Sequence, residues 1–242
     1  MSFYATLRST VRRVIPENIR RAADDPSSKL HSVLSPLKRL VQKLETHDSI
    51  YDRKYYEEAM GVYALRSAPI IAKSIHEVFH PSKVVDVGCG TGQLLAELKT
   101  YGIPGVGFEY STAALEIARE KGVEVHSLNL RLPFSQLTKA RADLVASTEV
   151  AEHLPESCAD NYVDYLCSIA DIVLMTAAPP GQGGEDHINE QPRSYWIEKF
   201  AARGFVYDDE ISRKLCDEWL TTNIDKFYAT NLMIYRKAAP TA

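Results

Sequence analysis

Asp86 interrupts the apolar run Val84-Val85-Asp86-Val87 and is followed at once by Gly88, Gly90 and Gly92, ahead of the helix-forming stretch Gln93 to Thr100. Glycine is needed where backbone turns with φ > 0 or lies flat on a ligand, and alternate glycines at a helix start leave bare N–H groups and open space. Nineteen residues after Gly90 comes Glu109, at the end of Gly105-Val106-Gly107-Phe108-Glu109 and just before a Ser111-Thr112 helix cap. Further on, Glu149, Glu152 and His153 recur at i, i+3 and i+4, and His187 sits in the glycine-rich stretch Pro179 to Pro192. On a helical turn those first three side chains share one face. Two carboxylates that close repel unless a positive charge lies between them. Glu149, Glu152, His153 and His187 therefore form a candidate divalent-cation site, and oxygen-rich ligation suits Mg²⁺ or Mn²⁺ better than structural Zn²⁺. Two plainer alternatives stand beside it: a solvated polar helix face, and His187 as a metal-free general base, since imidazole titrates near neutrality.

The glycine turn excludes two ligand classes. A P-loop needs Lys-Ser/Thr after its last glycine, and Gly92 is followed by Gln93-Leu94. A dinucleotide fingerprint spaces its last two glycines three apart, whereas Gly90 and Gly92 are two apart and Asp86 would repel a pyrophosphate. An acid there suits a cation, and S-adenosylmethionine (SAM) carries a sulfonium and an ammonium and no phosphate. The stretch Asp86 to Gly92 resembles motif I of the class I SAM-dependent methyltransferases. That resemblance implies Asp86, Gly88, Gly90, Gly92, Glu109, Asn129 and Thr148 as cofactor-binding residues, with Glu109 on the ribose hydroxyls. Many relatives carry an Asp after the third strand, before Leu-Pro-Phe. Here Leu132-Pro133-Phe134 is present but the polar residue is Asn129, whose amide oxygen can accept from the adenine amino group or can simply serve a turn.

The elements that must position these residues alternate from residue 67 onward. The pattern predicts helices over 67–79, 93–100, 112–121, 159–170 and 193–203. It predicts strands over 83–87, 105–109, 123–128, 143–147, 171–177, 205–210 and 229–237. Alternation of this kind implies an α/β fold: a Rossmann-like, seven-stranded, mostly parallel sheet, with one antiparallel edge strand closing it after a non-helical excursion. Ligands in such sheets sit beyond the carboxyl ends of the strands, so Asp86, Glu109, Asn129, Thr148 and Ala178 should converge. Residues 67–242 read as the methyltransferase domain and 1–66 as a helical appendage or cap.

Composition limits the partners. Residues 1–45 hold nine Lys/Arg against four Asp/Glu, an excess of five positive charges, which leaves the remainder at −9 within a total of −4. An acidic body offers no general footprint for nucleic acid. The amphipathic stripe Val33, Leu34, Leu37, Leu40, Val41 and Leu44 is either a cap on the domain or a peripheral membrane or substrate-docking element. No apolar run reaches the ~20 residues of a membrane span, no signal peptide is evident and the expected location is the cytoplasm. Cys89, Cys158, Cys167 and Cys216 show no metal-ligand or disulfide spacing.

The Glu-x-x-Glu-His run with a distant His resembles metal-dependent small-RNA 2′-O-methyltransferases, and its first part also resembles quinone-biosynthesis O-methyltransferases. The loop around Asp186-His187-Ile188-Asn189 with Tyr195-Trp196 is similar to bacterial saccharide and secondary-metabolite O-methyltransferases. What these resemblances imply is transfer of a methyl group from SAM to a hydroxyl of a saccharide or related small molecule. The expected catalytic residues are His187, His153 and Glu149, with divalent-metal assistance. RNA ends, a quinone or phenol, and a non-catalytic SAM-fold binding module are the alternatives.

Overall fold

The computed structural model describes residues 53–57 and 61–239. The basic amphipathic stretch of residues 1–45 lies outside the described residues. A short helical turn at Arg53–Tyr55 is followed by α1 (Gly61–Ser74), which continues as a wider turn through Ile75–Phe79. There follow β1 (Val84–Val87), α2 (Gln93–Thr100), β2 (Gly105–Glu109), α3 (Thr112–Glu120), β3 (Glu124–Ser127), β4 (Leu144–Thr148), α4 (Ala159–Ile169) and β5 (Ile172–Thr176). The chain ends with α5 (Arg193–Ala201), β6 (Phe205–Tyr207), α6 (Asp209–Leu220), α7 (Lys226–Thr230) and β7 (Leu232–Lys237). The seven strands form one sheet in the order β3-β2-β1-β4-β5-β7-β6, a Rossmann-like arrangement with helices on both faces.

Alternation along the strands sorts side chains into two cores. Val84, Leu144, Ala146, Leu174 and Ile234 face α1, α2, α6 and α7, packing with Ile71, Ile75, Leu98, Leu215 and Trp219. Val85, Val145, Val173 and Tyr235 face α4 and α5, packing with Tyr162, Leu166, Trp196 and Phe200. Because both faces are covered, β1 and the first four residues of β4 are wholly buried, as a central parallel strand requires. Trp219 anchors α6 to α1 by donating its indole N–H to Ser74 Oγ at 2.8 Å.

Three expectations are corrected. The first helix begins at Gly61 rather than 67. The excursion before the last strand is helical: α6 starts at an Asp208 cap accepting the Ile211 N–H, and Ile211, Leu215 and Trp219 form its apolar stripe at helical spacing. The antiparallel strand is also internal. β7 lies between β5 and β6 and runs antiparallel to both, so the edge is the three-residue β6. After the α6–α7 excursion the chain returns as β7 beside β5, where Leu232 to Tyr235 is apolar enough to be buried on both faces, whereas Val206 of β6 is exposed.

Candidate active site

Parallel strands end their carboxyl termini on one side, and there a cavity of about 210 Å³ opens. Asp86, Gly88, Gly90, Glu109, Asn129, Thr148, Glu149 and His153 all line it. Gly92, Glu152, His187 and Ala178 do not.

The glycines divide by what surrounds them. At Gly90 (φ 50°) an added Cβ meets nothing within 4 Å, so its missing side chain leaves open space over the cavity. At Gly92 (φ 69°) a Cβ would stand 2.7 Å from Val123 and 3.1 Å from Ala118, so that glycine serves the packing of α2 against α3 and β3. Gly88 likewise yields to the Val150 side chain.

Two acids floor the cavity. Asp86, opposite Gly107 of β2 and Ala146 of β4, is buried, and burial, with Glu109 adding repulsion, pushes its carboxyl up to about 7. Burial also raises Glu109, against the opposing effect of three backbone donors. Its Oε1 accepts from Tyr110 N–H (2.7 Å) and Ser111 N–H (2.8 Å), and its Oε2 accepts from Gly90 N–H (3.0 Å), tying the glycine turn to the end of β2. Oε2, with a single donor, keeps a lone pair for a hydroxyl. Asn129 Oδ1 accepts the Arg131 N–H at 3.0 Å, closing a turn at the cavity wall. Tyr55 and Tyr56, ahead of α1, and Tyr228 of α7 also line the cavity.

Beyond Thr148 the chain departs from the expected helical face. Glu149 is left-handed (φ 54°), and only Ala151–His153 forms a 3₁₀ turn. The register of β4 on β5 sets Thr148 beside Thr176, so Glu149 N–H reaches Thr176 Oγ1 at 2.9 Å. Glu149 Oε1 then accepts from Asn231 Nδ2 at 3.2 Å, and the same amide donates to Gln182 Oε1 at 2.9 Å.

Glu152, His153 and His187 come together, with one ligand atom from each within 4.8 Å of the others. Glu149 stays outside that cluster, so the expected four-residue set is brought together as three, and its donors are one carboxylate and two imidazoles rather than oxygen-rich. Glu152 is fully buried, and among the described residues neither of its oxygens has a hydrogen-bond partner. Burial, with the Glu149 charge second, holds its carboxyl well above the usual range. The imidazoles pack edge to face with centroids 5.0 Å apart. His153 Nδ1 lies 3.2 Å from the Asp186 carbonyl, and His187 Nδ1 lies 3.1 Å from Glu190 Oε1.

Sequence reasoning missed Thr176, Gln182, Glu190, Tyr228 and Asn231. Thr176, Gln182 and Asn231 carry no local signal because their partners are distant in sequence, whereas Glu190 bonds to residues only three, seven and nine positions before it.

This fold and cavity define a class I methyltransferase architecture. The chain belongs to the methyltransferase-domain family, whose model matches residues 8–180. Among curated proteins, the ubiquinone biosynthesis O-methyltransferase of Nitrosococcus oceani is 28% identical over 137 residues, covering 54% of this chain and 53% of that protein. The chain thus spans about half the length of the curated relatives it matches. An O-methyltransferase family protein from Burkholderia thailandensis superposes with a TM-score of 0.61 at 13% identity, over 89% of this chain and 75% of that one. The amino pentose methyltransferase CalS10 from Micromonospora echinaspora does so with a TM-score of 0.52 at 18% identity, over 71% and 90%. These structural likenesses show a shared fold.

Proposed function

We propose that this protein is a SAM-dependent O-methyltransferase acting on a hydroxyl of a saccharide or related small molecule, with a divalent metal at Glu152, His153 and His187. The observation that carries the SAM assignment is a pair of buried acids, Asp86 and Glu109, flanking open space at Gly90. Buried carboxylates with no cation between them are unstable as charges, and a sulfonium with an ammonium supplies the missing positive charge. Glu109 takes the ribose hydroxyls, and Asn129 and Leu130 border the adenine end.

The acceptor end is the Glu152-His153-His187 cluster. A fully buried carboxylate with no hydrogen-bond partner among the described residues, set beside two imidazoles, fits a bound cation. With two nitrogens and one oxygen, Mn²⁺ suits the donors better than Mg²⁺. When bound, such an ion lowers the pKa of a hydroxyl placed on it. The protein's own part is to hold that hydroxyl in line with the methyl group and to receive its proton on the Glu149 carboxylate at the cavity wall, since imidazoles that hold the ion keep no free lone pair. The oxygen attacks the methyl carbon, the C–S bond breaks, and the electron pair goes to sulfur, leaving a thioether. Glu149, held by the Asn231 amide, is the carboxylate that the cavity wall presents to a polyol. A quinone or phenol acceptor is the second reading, favoured by the ubiquinone-pathway relatives.

The test is methyl transfer from labelled SAM to saccharide and phenolic acceptors, with EDTA and with Mn²⁺ restored. The proposal expects turnover that EDTA abolishes and Mn²⁺ returns. Replacing His187 or Glu152 by Ala should lower turnover at least a hundredfold while SAM affinity stays within severalfold. Full activity in EDTA removes the metal from the scheme and leaves His187 as a simple base.

A further inference from the structure

We propose that Glu190 is the positioning residue of this site: it fixes His187 as the Nδ1–H tautomer, leaving the lone pair on Nε2 for the acceptor chemistry. This rests on the reading above that His187 belongs to the acceptor end.

The loop between β5 and α5 has few apolar anchors of its own. It runs Pro179-Pro180-Gly181-Gln182-Gly183-Gly184-Glu185-Asp186-His187-Ile188-Asn189-Glu190, and its residues up to Gly184 are exposed. Gly181 (φ 85°) and Gly183 (φ 69°) take left-handed conformations that turn their N–H groups inward. Both N–H groups end on one carboxylate: Gly181 donates to Glu190 Oε2 at 2.7 Å and Gly183 to Glu190 Oε1 at 2.7 Å. The third group on that carboxylate is His187 Nδ1, 3.1 Å from Oε1. The far half of the loop is tied separately, with Ile188 and Asn189 N–H both donating to the Glu152 carbonyl at 2.9 and 3.0 Å. Glu190 therefore fastens the glycine half, and the turn carrying Glu152 and His153 fastens the rest.

The tautomer follows from donor counting. Both oxygens of Glu190 already act as acceptors for backbone N–H groups, so the proton of the third contact must come from the imidazole. A neutral imidazole protonated at Nδ1 carries its lone pair at Nε2. Gly184 lets the ring lie there, because a Cβ at that position would run into Nε2 and its neighbouring carbons. His187 is shielded from solvent, so water does not compete for Nδ1 (side chain 11% exposed). Whether Nε2 ligates a cation or takes a proton directly, the lone pair must be on that atom, and a carboxylate on the opposite nitrogen sets this.

Nitrogen-15-labelled imidazole, observed by long-range proton–nitrogen correlation in the full chain at about pH 8, reports the tautomer directly. The expected result is Nδ1–H for His187 in the unaltered protein and loss of that preference in Glu190→Leu. With Glu190→Gln, turnover should fall about ten- to a hundredfold while KM for SAM stays within about threefold. His187 found as Nε2–H in the unaltered protein overturns the assignment whatever the variants do. So does a Glu190→Leu protein that keeps Nδ1–H. Failure of the functional reading looks different: His187→Ala then methylates as well as the unaltered protein while the tautomer result still holds.

Discussion

Asp86 allows a sharp test of how the cofactor floor works. Its carboxyl titrates near 7 in the ligand-free fold rather than at 3.8, so ionising it there costs about 4 kcal/mol more than in the unfolded chain. Below about pH 4 the group is neutral in both states and the penalty is absent. Between about pH 4 and 7 only the unfolded chain releases the proton, so stability falls with rising pH; above 7 both states are ionised and the loss is complete. Asp86→Asn has the shape of the neutral acid and no charge, so this slope should vanish from its profile. Relaxation and water entry reduce the full figure. The variant should therefore be more stable than the unaltered protein by about 2–4 kcal/mol at pH 8 and within about 0.5 kcal/mol at pH 4. Urea unfolding of ligand-free protein across that range, with unchanged m, measures the difference. Calorimetry supplies the counterpart: SAM affinity of the unaltered protein should rise from pH 6 to 8, and Asp86→Asn should bind at least tenfold more weakly with no such rise. A variant destabilised at pH 8, or a stability gap equal at both ends, would refute the account of Asp86 as a charge awaiting a cation.

Other outcomes follow from the same geometry. Both positions take left-handed strain on substitution; Gly90→Val should lose SAM binding because its side chain enters ligand space, while Gly92→Val should unfold at still lower denaturant because its side chain also meets Val123 and Ala118. Paired calorimetry and urea midpoints distinguish the two. Glu149→Gly should relieve about 1 kcal/mol of left-handed strain and raise the unfolding midpoint, yet lower turnover by removing a carboxylate from the cavity wall. Removing residues 1–26 should leave SAM affinity within severalfold and change acceptor use. A collapse of SAM affinity with the fold intact would make that segment part of the cofactor site.

The strand-plus-glycine signal was legible because its physics is local. Val84 to Gly92 must be a buried strand ending in a tight turn whatever surrounds it, and the spacing to Glu109 is set by one α/β unit. The mostly parallel sheet followed from the same alternation of apolar strands and amphipathic helices. The α6 stripe was equally local, and Asp208 with Ile211, Leu215 and Trp219 could have announced it. Position within the sheet was not local: that β7 pairs between β5 and β6 depends on where the chain re-enters the sheet after α6 and α7.

Tertiary structure alone decided the acceptor end. Spacing put Glu149, Glu152 and His153 on one helical face, but the Thr176 hydroxyl and the Asn231 amide hold Glu149 in a left-handed conformation that no helix permits. Glu152 then turns inward beside His153 and His187, while Glu149, held by Asn231, stays outside that cluster and acts on Glu152 by its charge. Glu190 shows the same division in one residue, since its meaning lies in three donors that only a folded loop brings to it. Residue type and short-range spacing determine what a segment can become; where a side chain points, and what it finds there, is set by elements that meet only when the chain has closed.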